Sequence, residues 1–519
     1  MGLPRITYNS VNIDFDRCLN RYEHSNNAVI QRANAVNGKV ETLYFSNSEA
    51  LEIEKQRMSG TIEAQLEKFW NYARSGQSFS FWFDRDLGGY WDFEGSGLSN
   101  DRNDITVTRA TTANYTNPST GLVTSVATNT ARYETGKYGL GILSENAATN
   151  ILTYSEQFDN AAWTKTDCSI TDDNTTHVLD PAGGNTSDLL EPSAATGTIA
   201  QDTATNISTD SAVFSIYLMT AEDAVQAATL YIYRVDTGAT LASQAISIAH
   251  SWQRFSVAYA SAGSITANWG VKIEFNTSGQ NYYLWGAQLE VGAAISHASS
   301  YIQTTAAAVT RNVDVISAST SGVLPDMART GSVCFWYSPK FSSTTNAQGR
   351  HLLYITAASV ATYLLEIYID TSQVLTAELN MLDSDIISCT GTIAYTAGTF
   401  YHIAVTWDLT GTNSLKLYFN GSLLETSTNS LWVPVRTGSA IYIGGSGGST
   451  SCSGIIDDLE IRKDVLSAAE ISYRYNKGYA LGWRRNYFSS LVLNQDEYSP
   501  RLLQGAYRHD VPLKFLEQK

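Results

Sequence analysis

From residue 88 to about residue 475, apolar and polar positions alternate in short runs that end at Gly, Asn, Asp, Ser or Thr. A period of two marks half-buried strands, and the turn residues mark their ends. VFSIYLMT, ATLYIYRV, WQRFSVAYA, VKIEFNT and NYYLWGAQLEVG fill residues 213–292. SVCFWYSPKF, YLLEIYID, FYHIAVTWDL, LKLYFNGSLLET and AIYIGGSGG fill residues 332–448. Their density predicts two β-sandwiches of about 150 residues each. One run has no obvious neighbour. GGYWDFEGSG, residues 88–97, reads as a strand, yet the polar stretch after it offers no partner.

The two ends of the chain have a different pattern. ITYNSVNIDF and VETLYFSNSEALEIEKQRM read as strands. SGTIEAQLEKFWNYARSG then places Ile62, Leu66, Phe69, Trp70 and Ala73 on one helical stripe. Ser59 or Thr61 can cap its start, and Gly76 lies just past its end. FSFWFDRD returns to strand. The last 40 residues are rich in Arg and in longer strands, and match the opening segment better than the sandwiches beside them.

Composition agrees with a mainly β protein. Of 519 residues, 43% are hydrophobic and 16% charged, with 9 prolines and no proline-rich linker. The length calls for several cores. A net charge of −16 repels phosphate backbones and anionic lipid, so neither nucleic acid nor a membrane is an expected partner. The N-terminus does not read as a signal peptide, and no run of 18 apolar residues occurs. The expected place of synthesis is therefore a cytoplasm. Cys18, Cys168, Cys334, Cys389 and Cys452 are odd in number and lack a CxxC pair, so they read as isolated, packed thiols. Nucleophile-elbow, HExxH, P-loop and Rossmann patterns are all missing.

Three groups of phrases carry family resemblances. FYHIAVTWDLTGTNSLKLYFNGSLLET, AIYIGG and GIIDDLEIRKDVLSAAEI resemble a concanavalin A-like, laminin G-type sandwich. Asn420-Gly421 is its hairpin turn, which fits on physics alone. Such sandwiches open with a Y-W-x-F-(D/E)-x-G-S-G strand paired near the closing strand and later carry a G-K-(F/Y)-G turn. Here these are Tyr90–Gly97 and Gly136–Gly139, far upstream. The resemblance thus supplies the missing sheet for residues 88–97 and implies an insertion. The insert, with TNILTYSEQFDNAAWTK, SWQRFSVAYA, YYLWGAQLEVG and SYIQT, resembles a carbohydrate-binding-module-like jelly roll common in phage tail proteins. ITYNSVNIDFD, FWNYARSGQSF, FWFDRD and LVLNQDEYSPRLLQGAYRHDVPLKFLE resemble siphophage distal tail, or baseplate hub, proteins. The implied arrangement is nested: a hub unit (1–87 and 476–519), a laminin G-like sandwich within it (88–146 and 310–475), and a jelly roll within that (147–309). The resemblance implies a tail-tip protein of the virion. It would form a ring of about six copies, contact the tail tube and other tip proteins, and adhere to host surface polysaccharide.

Sugar binding needs exposed aromatic faces. Trp163, Trp269 and Trp432 lie in loop-like stretches, and Tyr231 and Tyr233 share one face of ATLYIYRV; these are the candidate platforms. Trp252, Trp285 and Trp407 read as packed. Asp408, Asn420, Asp457 and Asp458 are oxygen donors in segments where sandwich lectins hold calcium, the one cofactor considered. As neighbours on a strand, Asp457 and Asp458 are expected on opposite faces. Glu94, Asp408 and Glu460 are carboxylates that folding could bring together. GGSGGSTSCSG, residues 444–454, reads as a flexible turn. Arg484, Arg485, Arg501 and Arg508 are candidates for contacts between ring subunits. The expected role is adhesion without catalysis. A silent tail-tip decoration and a tail-associated depolymerase are the alternatives.

Overall fold

The computed structural model describes residues 5–14, 21–34, 40–55, 65, 68–69, 72–73, 79–82, 87–91, 93, 105–477, 487–493, 501–502 and 509–517; within 105–477 it omits 173–177, 195, 277–278, 294, 321–328, 346–347, 358–362, 383–384, 411–412, 430–437 and 449. The protein is mainly β, and its named strand pairs are antiparallel.

The short strand at residue 88 finds its sheet at the far end of the chain. Leu87–Trp91 pairs with Gly454–Arg462, with Trp91 opposite Leu459 and Tyr90 opposite Glu460. The same edge of Gly454–Arg462 also takes Leu140–Ser144, with Ile142 opposite Ile456. On its other side come Thr330–Pro339, Tyr401–Asp408, Asn413–Phe419 and Ser422–Asn429 in order. We call this sheet I. Sheet II runs Asp385–Thr392, Val374–Leu382, Tyr363–Ile369, Arg350–Ala357, Gly438–Ile443, Val315–Ser319 and Thr106–Thr108. The inward residues of both sheets form one core that includes Trp91, Phe335, Trp407, Leu353, Ile355, Ile367 and Ile441. Every second residue contributes, as the period-two pattern requires.

The outer side of sheet I carries the helix Ala468–Asn476. Ser467 caps it in a reciprocal capping box with Glu470, an arrangement worth about 1 kcal/mol. Ile471 then packs with Leu466 on Cys334, Ala404 and Tyr418. The Asn420-Gly421 turn adopts φ of 49° and 76°, as a two-residue hairpin needs, and joins Phe419 to Ser422.

Residues 148–311 build a second sandwich. Sheet III orders Cys168–Asp172, Asp188–Pro192, Tyr282–Gly292, Ala148–Asn150 and Val309–Arg311, with Ser211–Thr220 and Gln253–Tyr259 alongside. Sheet IV orders Thr164–Thr166, Gly197–Ser208, Ile265–Phe275, Gln226–Arg234 and Thr240–Ile248. Its core includes Trp163, Phe214, Leu230, Trp269 and Leu284.

Where the chain passes between the sandwiches lies a buried ionic cluster. Arg109 Nη1 meets Asp314 Oδ1 at 2.7 Å, and Arg132 Nη1 meets Glu145 Oε2 at 2.6 Å. Arg132 also binds Asp314, and Arg311 approaches Glu145 at 3.5 Å and Asp314 at 3.9 Å. Glu145 further accepts from the backbone N–H and hydroxyl of Ser300, and Asp314 from the N–H of Glu145. Every charged side chain of the cluster is at most 4% exposed. Burial opposes ionisation of Glu145, but Arg311 and Arg132 outweigh it and hold the carboxyl well below its usual range.

The outer segments meet in one sheet, ordered Val11–Asp14, Arg5–Tyr8, Phe79–Trp82, Tyr487–Leu493, His509–Glu517, Val40–Lys55 and Arg21–Asn34. The expected helix is helical at its described positions Gln65, Lys68, Phe69, Tyr72 and Ala73. Phe69 and Ala73 are buried, and Phe69 meets Tyr8 edge-on at 5.4 Å between ring centroids.

Candidate functional site

The solvent side of sheet II presents a row of polar and aromatic side chains. Leu353, Ile355, Leu365, Ile367, Leu379 and Ile441 point into the core, so the residues between them point out. Register then aligns Ser317, Tyr442, Tyr354, Glu366, Glu378 and Ser388 across six adjacent strands. At about 4.8 Å per strand the row is roughly 24 Å long. Tyr363, Tyr368 and His351 flank it. Ring centroids lie 6.4 Å apart for Tyr354–Tyr442, 5.8 Å for Tyr354–Tyr363 and 5.9 Å for His351–Tyr368. All four tyrosines are half-buried, so each keeps ring surface open to solvent.

Hydrogen bonds fix these side chains. Tyr363 and Tyr368 both donate to Glu378, the second at 3.2 Å. His351 bridges Glu366 at Nε2 and Thr450 at Nδ1, each at 2.5 Å. Burial, and then the neighbouring carboxylates, push the phenols of Tyr354, Tyr363 and Tyr368 up. They stay protonated at neutral pH and can both donate and accept. The described residues of the glycine-rich run 444–454 form a closed turn beside this face. Ser446 N–H donates to Thr450 O at 3.1 Å, and Gly445 bridges Ser451. Gly447, at φ +88°, lies against the Tyr442 ring, where a β-carbon would sit 3.0 Å from Cζ. The face combines apolar rings with fixed hydroxyl and carboxylate acceptors, which suits the C–H and O–H surfaces of a pyranose.

The sequence candidates fare differently. Trp163 is 1% exposed, packs on Phe158 at 4.9 Å and donates Nε1–H to Tyr154 O. Trp269 is fully buried against Tyr259. Both are core residues, so neither is a stacking platform. Trp432 lies outside the described residues. Tyr231 and Tyr233 do share the outward face of sheet IV, since Leu230 and Ile232 are in the core. Lys272 covers the Tyr231 ring at 4.3 Å, and Tyr233 lies flat over Gly270 with its hydroxyl on Asp202. Trp285 and Trp407 are each 2% exposed, and Trp252 is partly buried with Nε1–H on Leu179 O.

The four oxygen donors considered for calcium do not converge. Asp408 Oδ1 accepts from the N–H and hydroxyl of Thr410, which makes a local turn. Asn420 Oδ1 accepts from His402 N–H. Asp457 accepts from the N–H groups of Lys137, Tyr138 and Asp458. Asp458 accepts from the Tyr90 hydroxyl and pairs with Lys477 at 2.9 Å. Among the described residues no group of three or more His, Cys, Asp and Glu is placed to hold a metal ion. The expectation that Asp457 and Asp458 face opposite ways also fails. A bulge between the Cys334 and Trp336 pairings, with Asp458 at φ 50°, turns both away from the core. Glu460 does not meet Asp408. Burial opposes its ionisation, but bonds from Arg474 and Arg462 hold its carboxyl below the usual range. Glu94, Arg484, Arg485 and Arg508 lie outside the described residues; Arg501 sits on a strand paired with Asp510. Among the described residues the free thiols are Cys168, Cys334, Cys389 and Cys452.

The sheet II tyrosines are not among the sequence candidates, although LLYITA, YLLEIYID and AIYIGG carry the same alternation as the segment of Tyr231 and Tyr233. Comparison with known proteins bears on this same region. Residues 296–472, about a third of the chain, match the family model Laminin_G_3, the concanavalin A-like lectin/glucanases superfamily. This part of the chain is similar to concanavalin A-like, laminin G-like sandwich domains. No curated protein matches the chain. Among solved structures, the receptor-binding domain of botulinum neurotoxin D is 18% identical over 31% of this chain and 41% of its own, with a TM-score of 0.27. The chain thus spans about two fifths of the length of that domain. The CBM40 of a Ruminococcus gnavus IT-sialidase, bound to α2,3-sialyllactose, is 17% identical over 28% of this chain and 83% of its own, at a TM-score of 0.25. A SAP-like pentraxin from Limulus polyphemus is 16% identical over 32% and 81%, also at 0.25.

Proposed function

We propose that this protein binds saccharide on the tyrosine face of its laminin G-like sandwich, and that it does so as a ring-forming tail-tip protein of a phage, adhering to host surface polysaccharide. The observation that carries the binding role is the row Tyr442–Tyr354–Glu366–Glu378, aligned by register across four strands and edged by Tyr363, Tyr368 and His351. The tail-tip part rests on the resemblance of the two end segments to baseplate hub proteins. Their meeting in one sheet supports it. In a ring, many weak contacts add to a strong one, because each contact after the first is intramolecular.

The test is a glycan array followed by titration of the best ligand, using the full chain and the Tyr442→Ala and Tyr354→Ala variants. Each variant should weaken binding at least about tenfold, or ~1.4 kcal/mol, with melting unchanged. Unaltered affinity in both would remove the face from the account. Electron microscopy of the purified chain tests the ring, and a strictly monomeric population at high concentration would count against it. A second reading, glycan cleavage, draws on Glu366 and Glu378 as direct cross-strand partners. Retaining glycosidases need two carboxyl groups about 5–5.5 Å apart. It predicts release of reducing ends that is lost in Glu378→Gln.

A further inference from the structure

A cleft of about 270 Å³ opens between the two sandwiches, and none of its lining residues belongs to the tyrosine face. The first sandwich lines it with Glu134, Lys340 and, from the hairpin Ala113–Thr116/Val123–Val126, Tyr115 and Thr116. The second lines it with Tyr217, Arg254 and Ser300. Its size is near the lower end of ligand pockets, roughly 300–1,000 Å³, and a site between domains is a favoured place for one.

Two carboxylates and two cations line this cleft, but they are not paired one to one. Lys340 is paired with Glu134. Glu145, which also borders the cleft, is enclosed by Arg132 and Arg311. Arg254 is left over. It donates to Ser299 O at 2.6 Å and to Ser215 Oγ at 3.0 Å, and its guanidinium lies 5.4 Å from the centre of the Tyr217 ring. Among the described residues no carboxylate lies within ion-pair distance of it, and its Nε is buried without a partner. A nearby carboxylate, Glu290, attracts Arg254 through space without touching it, and is turned to Ser299, which donates to it from N–H at 2.9 Å and from Oγ at 2.6 Å. Burial also pushes the Glu290 carboxyl up, which weakens it as a counter-charge. Of five guanidinium N–H groups, two are used. A half-buried cation whose direct contacts are all neutral acceptors, with its nearest carboxylate engaged elsewhere, is a costly arrangement that an incoming anion relieves.

We infer that this cleft binds an acidic saccharide, with the Arg254 guanidinium taking the sugar carboxylate and the Tyr115 and Tyr217 rings flanking the pyranose. Arginine presents a planar fork that matches a carboxylate, and its position is already fixed by Ser215, Ser299 and Tyr217. The site is independent of the tyrosine face, which offers carboxylates and hydroxyls but among the described residues no free cation.

The test uses the full chain and three probes read by calorimetry or ligand-observed NMR: glucuronate, glucose and inorganic sulfate. Glucuronate and glucose differ only at C6, as carboxylate against hydroxymethyl. Glucuronate should bind at least about tenfold more tightly than glucose or sulfate, and its affinity should fall as salt rises. Arg254→Gln should remove that preference. Thr116→Trp, which fills the cleft from an exposed position and leaves every Arg254 bond in place, should block glucuronate at least tenfold with melting unchanged. It decides the matter should Arg254→Gln fold poorly. Tyr442→Ala should leave glucuronate binding intact, which separates this site from the tyrosine face. Equal affinity for glucose and glucuronate, binding of sulfate as tight as that of glucuronate, or full binding by Thr116→Trp would each overturn the inference.

Discussion

Replacing Asp314 with Asn should loosen the joint between the two sandwiches more than any surface change. Asp314 accepts from Arg109 at 2.7 Å, from Arg132, and from the N–H of Glu145 at 2.9 Å, and its side chain is 1% exposed. Three guanidiniums, those of Arg109, Arg132 and Arg311, face two carboxylates there. The formal balance is +3 − 2 = +1, and the Asn variant raises it to +2 at side chains at most 4% exposed. Breaking a buried pair by removing one partner costs about 3–5 kcal/mol, because a charge is stranded. For a unit of about 150–250 residues each kcal/mol lowers Tm by about 2–4 °C, so the expected drop is about 6–20 °C. Differential scanning calorimetry of the full chain measures it. Arg234→Gln is the control: its partner Asp236 is 43% exposed, and that variant should melt with the parent. An Asp314→Asn variant that melts within about 2 °C of the parent would refute the claim that this cluster holds the joint.

Glu145 makes the same joint acid-sensitive. Its folded pKa is depressed below the unbound value of 4.5, so its contribution is full above about pH 4.5 and is lost as pH falls further. Melting curves from pH 7 to pH 3 should therefore fall more steeply for the parent than for Glu145→Gln, which starts lower. Trp269→Ala should cost about 3–5 kcal/mol in urea unfolding and leave saccharide affinity per folded molecule unchanged, since Trp269 is core. Gly421→Val should cost about 1–2 kcal/mol, because φ there is +76° and the added β-carbon meets Tyr475 at 3.0 Å. A urea titration that shows no loss would mean the hairpin relaxes.

The strand set was legible in the sequence, because alternation is local. So was the partner of Tyr90-Trp91, through a family phrase and not through periodicity. Trp269 defeats a local reading, because the polar residues of SITAN before it resemble a loop. The strand in fact runs from Ile265, and Ala267, Trp269, Val271 and Ile273 alternate inward along it. Trp163 lies at the edge of the strand Thr164–Thr166, where the preceding loop folds back over the core. The tyrosine row was invisible for another reason. Its members lie on strands as distant as 354 and 442, and only register brings them side by side. The Asp457-Asp458 bulge likewise depends on partners more than a hundred residues away. The cleft at Arg254 needs two sandwiches in place, and no single segment carries its signal.

The pairing of Leu87–Trp91 with Gly454–Arg462 also sets a timetable for synthesis. Tyr90 and Asp458 are 368 residues apart. At roughly 5–20 residues per second the ribosome needs about 20–70 s to cover that distance. The second sandwich is complete by residue 311 and can fold while the first still lacks its central strand. Throughout that interval the Tyr90 strand has an open edge and an apolar face, the state in which nascent chains stick to one another. Chains that stop before residue 454 should therefore aggregate even though the inserted sandwich within them is whole.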